Sequence, residues 1–208
     1  MKLYEFPPTR SIRARWALQE LGIPFEATRV DLTKGEHQQP GYKQVNPAGK
    51  LPAITDGELT LTESGAILLY LGEKYPEKGL VPRELVQRAE LYRWLLFTIT
   101  ELEQPLWRMA RNTTVYPPEQ RVAADVASAK KDFSDMVRVI DAHMRGRQYV
   151  VGDRFSVADI ALAYTLDWAN EVELLQDCPG LVAYMERMYA RPHAGLRIQQ
   201  AFASLRAG

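Results

Sequence analysis

Residues 46–67 read NPAGKLPAITDGELTLTESGAI, and this stretch carries the clearest fold signal in the chain. Two short β-type runs flank Asp56-Gly57, a dipeptide that favours a type I′ hairpin turn, in which both central residues need a positive φ. Glu63-Ser64 then precedes an apolar run of helical character, and Ser64 is placed to cap the start of that helix. The stretch therefore predicts a β-hairpin followed directly by a helix.

The residues before this stretch predict a β-α-β unit. Residues 2–6 read as a strand that ends at Pro7-Pro8, because two consecutive prolines prevent a helix there. Apolar residues recur at helical spacing up to Leu21, and Gly22 suits the C-terminal cap of that helix. Residues 25–32 read as a second strand, and a right-handed crossover would make the two strands parallel.

The residues after this stretch read as long helices. Periodic apolar positions predict one helix over 84–112, kinked at Pro105, and a second over 119–145. Further on, Ser156 and Asp159 have the spacing of a short-acid capping box. We therefore expect an α/β domain with the order β-α-β-α-β-β-α over residues 1–76, a linker over 77–84 and an all-helical domain over 85–208.

Composition limits the classes of function. The 208 residues contain 26 Lys plus Arg and 26 Asp plus Glu, so the formal net charge is zero and no general nucleic-acid binder is indicated. No apolar run approaches the length of a membrane span, and the N-terminus lacks the apolar core of a signal peptide. We expect a cytoplasmic protein that does not bind membranes.

Cysteine and histidine are too sparse for a local metal motif. The single cysteine, Cys178, excludes an intramolecular disulfide and a C-x-x-C reductant, and the three histidines lie far apart in the sequence. We expect no metal.

Three motifs together resemble the cytosolic, bacterial-type glutathione S-transferase family. Residues 46–52, NPAGKLP, resemble the family's N-P-x-G-x-[VL]-P segment, residues 63–67 resemble its E-S-x-A-I segment, and residues 156–159 resemble its helical folding motif. The resemblance covers essentially the whole chain. It implies a thioredoxin-like domain that binds glutathione as co-substrate, a helical domain that supplies most of the second-substrate pocket, and a homodimer.

The resemblance also implies a set of glutathione contacts. The bond before Pro52 would be cis, so that the backbone of Leu51 pairs with the cysteinyl part of glutathione. Ser64 and the helix start would hold the γ-glutamyl carboxylate, while Glu63 faces the ammonium group. Cationic side chains for the glycine carboxylate would be Lys34, His37 and Lys50.

The reacting thiol must be ionised, which points to a hydroxyl between the first strand and the first helix. Lowering a thiol pKa of about 8.5 by two units needs about 2.7 kcal/mol, and a hydroxyl donor with a helix dipole can supply it. Residues 8–13, PTRSIR, resemble the S-R-S-x-R step of bacterial members, with Thr9 at the first serine and near the expected N-cap. Ser11 and Tyr4 remain alternatives to Thr9.

The second substrate is expected between the loop after the first strand and the helical domain. Aromatic residues suit an apolar electrophile, and an arginine suits an anionic or nitro-bearing one. The candidates are Phe6, Pro8, Trp107, Arg108, Arg111, Tyr116 and Trp168.

The favoured activity is conjugation of glutathione to small hydrophobic electrophiles. Some members of the family use a cysteine in this loop to form mixed disulfides, and none lies near residue 9 here. The resemblance therefore implies conjugation or peroxide chemistry rather than thiol transfer. A glutathione-dependent peroxidase or disulfide reductase is one alternative, and a non-catalytic binding module of the same fold is another.

Overall fold

A computed structural model describes residues 1–206 of the chain, which form two compact units. The first contains Met1–Val81 together with residues 189–206, and the second is Pro82–Met188. The expected boundaries of 1–76 for the α/β domain, 77–84 for the linker and 85–208 for the helical domain stay predictions.

A four-stranded mixed sheet forms the centre of the first unit. Its strands β1 to β4 have the order β2-β1-β3-β4, with β1 and β2 parallel and the other neighbours antiparallel. This confirms the predicted β-α-β start followed by a hairpin. The strands are β1 (Lys2–Glu5), β2 (Glu26–Arg29), β3 (Ala53–Asp56) and β4 (Leu59–Thr62).

Nine α-helices run through the described residues, and short 3₁₀ and π segments join some of them. They are α1 (Ser11–Leu21), α2 (Pro40–Lys43), α3 (Ser64–Lys74), α4 (Leu85–Phe97), α5 (Glu103–Ala110), α6 (Ala123–Met144), α7 (Val157–Glu171), α8 (Pro179–Tyr189) and α9 (Ile198–Arg206). Among these residues, no helix is both long and apolar enough to cross a membrane.

The hairpin forms as predicted, but its turn type differs. Asp56 pairs with Leu59, so it is the last residue of β3 and the turn residues are Gly57 and Glu58. Only Gly57 has a positive φ, of 61°, which fits a type II′ turn rather than type I′. The Asp56 carboxylate accepts a hydrogen bond of 2.6 Å from the Tyr70 hydroxyl and pairs with Lys74 on α3. These contacts hold Asp56 in the strand.

Helix α1 is buried on nearly all sides. Its predicted apolar face packs against β1 and α3, and Gly22 ends it with a left-handed φ of 68°. Ile12, Arg13 and Trp16 lie outside the predicted face and are also buried. The helix is therefore enclosed more completely than its amphipathic pattern predicts.

The region predicted as one long helix over 84–112 follows a continuous helical path, but its α-helical hydrogen-bond pattern is interrupted. Helices α4 and α5 are joined by a π segment, Thr98–Leu102, which lies just before Pro105. A proline has no backbone N–H to bond the carbonyl one turn earlier, so the regular pattern breaks near this point. A second π segment, Arg111–Val115, extends the helical path beyond the predicted end.

The capping box before α7 is confirmed. The buried Asp159 carboxylate accepts hydrogen bonds of 2.8 Å from the Ser156 N–H, 2.8 Å from the Val150 N–H and 2.7 Å from the Tyr184 hydroxyl. Asp159 thus links the start of α7 to the preceding loop and to α8.

Candidate functional site

Two hydroxyl groups meet in the loop between β1 and α1. The Thr9 and Ser11 side-chain oxygens form a short hydrogen bond with each other. Thr9 Oγ1 also donates to the Phe6 carbonyl at 2.6 Å, and Ser11 Oγ accepts from the Phe6 N–H at 3.2 Å. The loop therefore holds both hydroxyls against the backbone at the end of the first strand.

The order of proton donation in this pair follows from the number of protons. Each hydroxyl has one proton, and the Phe6 carbonyl can only accept. Because Thr9 gives its proton to that carbonyl, Ser11 must be the donor in the bond between the two side chains. Ser11 is only 1 % exposed, whereas Thr9 is partly exposed. Thr9 is thus the member of the pair that a ligand can reach.

Thr9 is not the N-cap of α1, contrary to the expectation. The cap position is Arg10, and its side chain makes no capping bond. Thr9 precedes it, yet its Oγ1 accepts from the Ser11 N–H at 3.2 Å and so satisfies one free donor of the first helical turn. The hydroxyl remains next to the positive end of the helix.

Tyr4 lies away from the hydroxyl pair. Its ring is 5.9 Å from the Tyr42 ring and lines a cavity of about 290 Å³ beneath α2. Lys2 Nζ lies 5.3 Å from the centre of the Tyr4 ring. The Tyr4 ring thus contacts Tyr42 of α2, whereas Thr9 and Ser11 bond the backbone of Phe6. Within the described residues, no hydrogen bond joins Tyr4 to either hydroxyl.

The start of α3 has an unusual backbone. Glu63 has a φ of 64°, which a residue with a side chain rarely adopts, and it occupies the cap position. Ser64, which was expected to be the cap, is instead the first helical residue and is buried. Within the described chain, the backbone N–H groups of Ser64, Gly65 and Ala66 make no hydrogen bond.

A buried arginine connects the two helix starts. Arg13 is 0 % exposed, and its Nη1 donates to the Ser64 hydroxyl at 3.3 Å. Arg13 is the final residue of the step over residues 8–13, yet it lies off the apolar face of α1 and its partner is 51 residues away. Arg13 therefore joins the site through Ser64, a partner that the sequence did not indicate.

In the loop before β3, one residue has a backbone N–H and carbonyl that make no hydrogen bond within the described chain. The Leu51-Pro52 bond is cis, as the resemblance implied. The Leu51 N–H and carbonyl form no hydrogen bond with any of residues 1–206. In contrast, the Lys50 carbonyl accepts from the Tyr42 hydroxyl at 2.6 Å and from Asn46 Nδ2 at 2.7 Å. A ligand can pair with the backbone of Leu51, whereas Lys50 offers only its exposed side chain.

Two loops with basic residues touch each other. Gly49 has a φ of 62°, and a Cβ there would lie 2.9 Å from the His37 carbonyl. This contact brings the turn that holds His37 against the loop that holds Lys50, with Lys34 exposed in the same connection as His37. The Nδ1 of His37 is buried and makes no hydrogen bond within the described chain.

The chain's own thiol is poorly suited to react. Cys178 is buried, and burial raises the pKa of its thiol, so it stays protonated at neutral pH. Among residues 1–206, no three His, Cys, Asp or Glu side chains gather as metal ligands could.

Two of the expected second-substrate residues are already engaged. The Phe6 ring is only 3 % exposed and lies under the Arg29 guanidinium at 5.0 Å. Arg108 donates from Nε to Asp125 at 3.1 Å and also pairs with Asp132, and both bonds raise the pKa of the guanidinium. Phe6 offers little surface to a substrate, and the charge of Arg108 is compensated.

Arg111 differs from Arg108. It lies one turn after Trp107, its guanidinium stacks on the Tyr116 ring at 5.8 Å, and it forms no ion pair with the residues described. Its Nε is buried and has no hydrogen-bond partner among those residues. Pro8, Trp107, Tyr116 and Trp168 are each partly exposed.

Comparison with known families and proteins gives a consistent result. Residues 1–73 match the glutathione S-transferase N-terminal domain and residues 105–192 match the C-terminal domain. The chain is 32 % identical over 193 residues to glutathione S-transferase GST-4.5 of Xanthomonas campestris, covering 91 % of this chain and 93 % of that one. It is 30 % identical over 190 residues to glutathione S-transferase F10 of Arabidopsis thaliana, covering 87 % and 88 %.

A solved structure supports the same relationship. A sphingomonad glutathione S-transferase complexed with glutathione matches with a TM-score of 0.83 and 32 % identity, over 97 % of this chain and 99 % of that one. The four-stranded mixed sheet and the helical unit after it form the two-domain architecture of the glutathione S-transferase family. The chain belongs to the glutathione S-transferase family and is a glutathione S-transferase enzyme.

Proposed function

We propose that this enzyme conjugates glutathione to small hydrophobic electrophiles and that the Thr9 hydroxyl stabilises the reacting thiolate. The hydrogen-bonded pair of Thr9 and Ser11 at the start of α1 carries the proposal. A thiolate is a charged acceptor and attracts a hydroxyl proton more strongly than a neutral carbonyl does. The Thr9 proton would therefore turn from the Phe6 carbonyl to the sulfur.

This rotation would leave no buried group unsatisfied. The Phe6 carbonyl also accepts from the Thr9 N–H at 3.0 Å, so it keeps one hydrogen bond when the hydroxyl leaves. Ser11 would continue to donate to Thr9, and a hydroxyl that accepts a hydrogen bond becomes a stronger donor. Thr9 is then the catalytic residue and Ser11 a positioning residue.

The peptide of glutathione would lie along the remaining groups. Its γ-glutamyl carboxylate would accept from the free N–H groups at the start of α3, with Ser64 beside it and Glu63 near the ammonium group. Its cysteinyl backbone would pair with the open backbone of Leu51 before Pro52. Its glycine carboxylate would reach the cationic side chains Lys34, His37 and Lys50.

The second substrate would contact apolar and aromatic side chains together with one arginine, Arg111, that forms no ion pair with the described residues. Within the second unit, Trp107, Tyr116 and Trp168 supply the apolar surface, and the role of Pro8 stays a prediction. Arg111, rather than Arg108, would receive an anionic or nitro substituent, because Arg108 already pairs with two aspartates. The Phe6 side chain is left out of this set because it is buried.

The test is an ultraviolet titration of the glutathione complex against pH that follows the thiolate absorbance. We expect a bound-thiol pKa below about 7, compared with about 8.5 for a free thiol. Thr9→Val should raise that pKa by about one unit or more, since about 1.4 kcal/mol of preference for the thiolate is lost. Thr9→Ser keeps the hydroxyl and should leave the pKa unchanged.

Two results would contradict the proposal. An unchanged thiol pKa in Thr9→Val would remove the role of Thr9. Glutathione binding without a thiolate at neutral pH would instead favour the peroxidase or disulfide reductase alternative.

A further inference from the structure

The C-terminal segment of the first unit lies along one face of α1. Ile12, Trp16 and Glu20 are spaced four residues apart and share that face. The Tyr189 ring is 4.9 Å from the Trp16 ring, with an angle of 40° between their planes. We call residues 189–201 the C-terminal brace.

An ion pair fixes the far end of this contact. The Arg191 guanidinium donates to both Glu20 oxygens, at 2.7 and 2.8 Å, and Trp16 Nε1 donates to Glu20 Oε1 at 3.1 Å. The Glu20 side chain is only 6 % exposed. A planar guanidinium that bonds both oxygens defines orientation as well as distance.

The closest approach occurs near the beginning of α1. A Cβ at Gly195 would lie 2.9 Å from Ile12 Cγ2 and 3.3 Å from Trp16 Cβ, so this position has no room for a side chain. Its φ lies outside the left-handed region, so the backbone conformation itself would accept alanine. The glycine at this position is explained by the close contact alone.

Ile12 transmits this contact to the hydroxyl pair. It directly follows Ser11, the buried residue that donates to Thr9. The opposite side of α1 packs against β1 and α3. The first turn of α1 therefore packs against the C-terminal brace, and a displacement of Ile12 would shift its neighbour Ser11 relative to Thr9.

We propose that the C-terminal brace positions the start of α1 for thiol activation, with Gly195 as its positioning residue. The proposal rests on the proposed role of Thr9 and Ser11 in stabilising the thiolate. The brace adds a structural requirement to that role: the hydroxyl pair is aligned only while residues 189–201 lie against α1.

The test compares the variant Gly195→Ala with the wild-type enzyme. The added methyl group would displace Ile12, so we expect the bound-thiol pKa to rise by about half a unit or more and kcat to fall about tenfold, since a 1 Å displacement can cost up to about 10²-fold. The KM for glutathione should change much less, because the start of α3 and Leu51 are not touched. Gly180→Ala is the control, since its Cβ would meet nothing closer than 3.9 Å.

A second substitution tests the route through Ile12. Leucine has no methyl branch at Cβ, so Ile12→Leu in the Gly195→Ala background removes the atom that the new methyl group meets. We expect the double variant to regain most of the wild-type thiol pKa and kcat. Hydrogen exchange of the α1 backbone amides provides a readout that does not depend on catalysis, and it should be faster in Gly195→Ala than in Gly180→Ala.

The outcomes separate this proposal from the proposed function. If Thr9→Val raises the thiol pKa while Gly195→Ala leaves both that pKa and the α1 exchange unchanged, the brace is overturned and the role of Thr9 stands. If Ile12→Leu does not restore the thiol pKa and kcat in the Gly195→Ala background, the proposed role of Ile12 is wrong. A wild-type complex without a thiolate overturns the role of Thr9 and, with it, the positioning role of the brace.

Discussion

At the scale of single residues, Glu63 has a backbone conformation that residues with a side chain rarely adopt. A positive φ at a residue with a side chain costs on the order of 1–3 kcal/mol. Its φ of 64° sets the direction in which the chain enters α3, and its own side chain is exposed to solvent. A residue that gains little packing at such a cost is expected to serve binding, and Glu63 directly precedes the free N–H groups of that helix.

Replacing Glu63 with glycine should therefore affect the stability of the fold and the binding of glutathione in opposite directions. Glu63→Gly relieves the backbone strain, and we expect it to stabilise the protein by up to about 1 kcal/mol while it raises the KM for glutathione. Glu63→Gln is the matched variant, since it removes the charge and keeps the strained backbone. Thermal denaturation and steady-state kinetics measure the two effects, and a glycine variant less stable than Glu63→Gln would show that the side chain contributes to folding.

At the scale of elements, the second unit depends on a ring contact between α4 and α6. The His143 imidazole stacks on the Trp94 indole with a centroid distance of 3.9 Å and an interplanar angle of 28°. Its Nε2 lies 2.8 Å from the Val150 carbonyl, which can only accept, so the neutral ring carries its proton on Nε2. The contact thus joins two helices and the loop that follows α6.

This contact should make stability depend on pH. Burial lowers the pKa of His143 below its usual value near 6.5. The unfolded chain therefore takes up a proton near pH 6.5 that the folded chain resists, so stability is complete above that pH and declines as the pH falls toward 5. Urea denaturation at several pH values measures this, and His143→Gln should reduce the decline. An identical pH dependence in the variant would exclude His143 as its source.

At the scale of the whole molecule, residues 189–201 pack against α1 within the first unit. The bond between Arg191 and Glu20 spans 171 residues of sequence. Burial alone would raise the pKa of Glu20, but the hydrogen bonds from Arg191 and Trp16 outweigh it and lower the pKa. The carboxylate is therefore charged in the folded protein and depends on these partners.

Removing Arg191 should leave this carboxylate without its main partner. We expect Arg191→Leu to destabilise the protein by about 1–3 kcal/mol at pH 7. A lowered pKa contributes stability above the unfolded value and loses it as the pH falls through the folded value, so the difference between variant and wild type should narrow below about pH 4.5. Arg93→Leu breaks an exposed pair with Glu90 and should have little effect. Chemical denaturation decides between these expectations, and an equal loss in both variants would contradict them.

Local signals made much of the fold predictable. The hairpin around Gly57, the cap at Gly22 and the capping box at Ser156 each join residues fewer than ten positions apart, so local sequence patterns indicate them. The turn type was wrong because the Asp56 side chain bonds Tyr70 and Lys74 on another element. The α4–α5 region was only partly predicted, since hydrogen bonds redistribute around Pro105.

In the candidate site, too, some features follow from local sequence and others from contacts between distant residues. By itself, the sequence determined the β-α-β and hairpin order, and it narrowed the catalytic hydroxyl to a few residues near the start of α1. Only the tertiary structure decided that Ser11 lies behind Thr9, that Arg13 reaches Ser64 and that residues 189–201 lie against α1. The physical reason is sequence distance: Arg13 and Arg191 bond partners 51 and 171 residues away, and such contacts leave no periodic or local pattern in the chain.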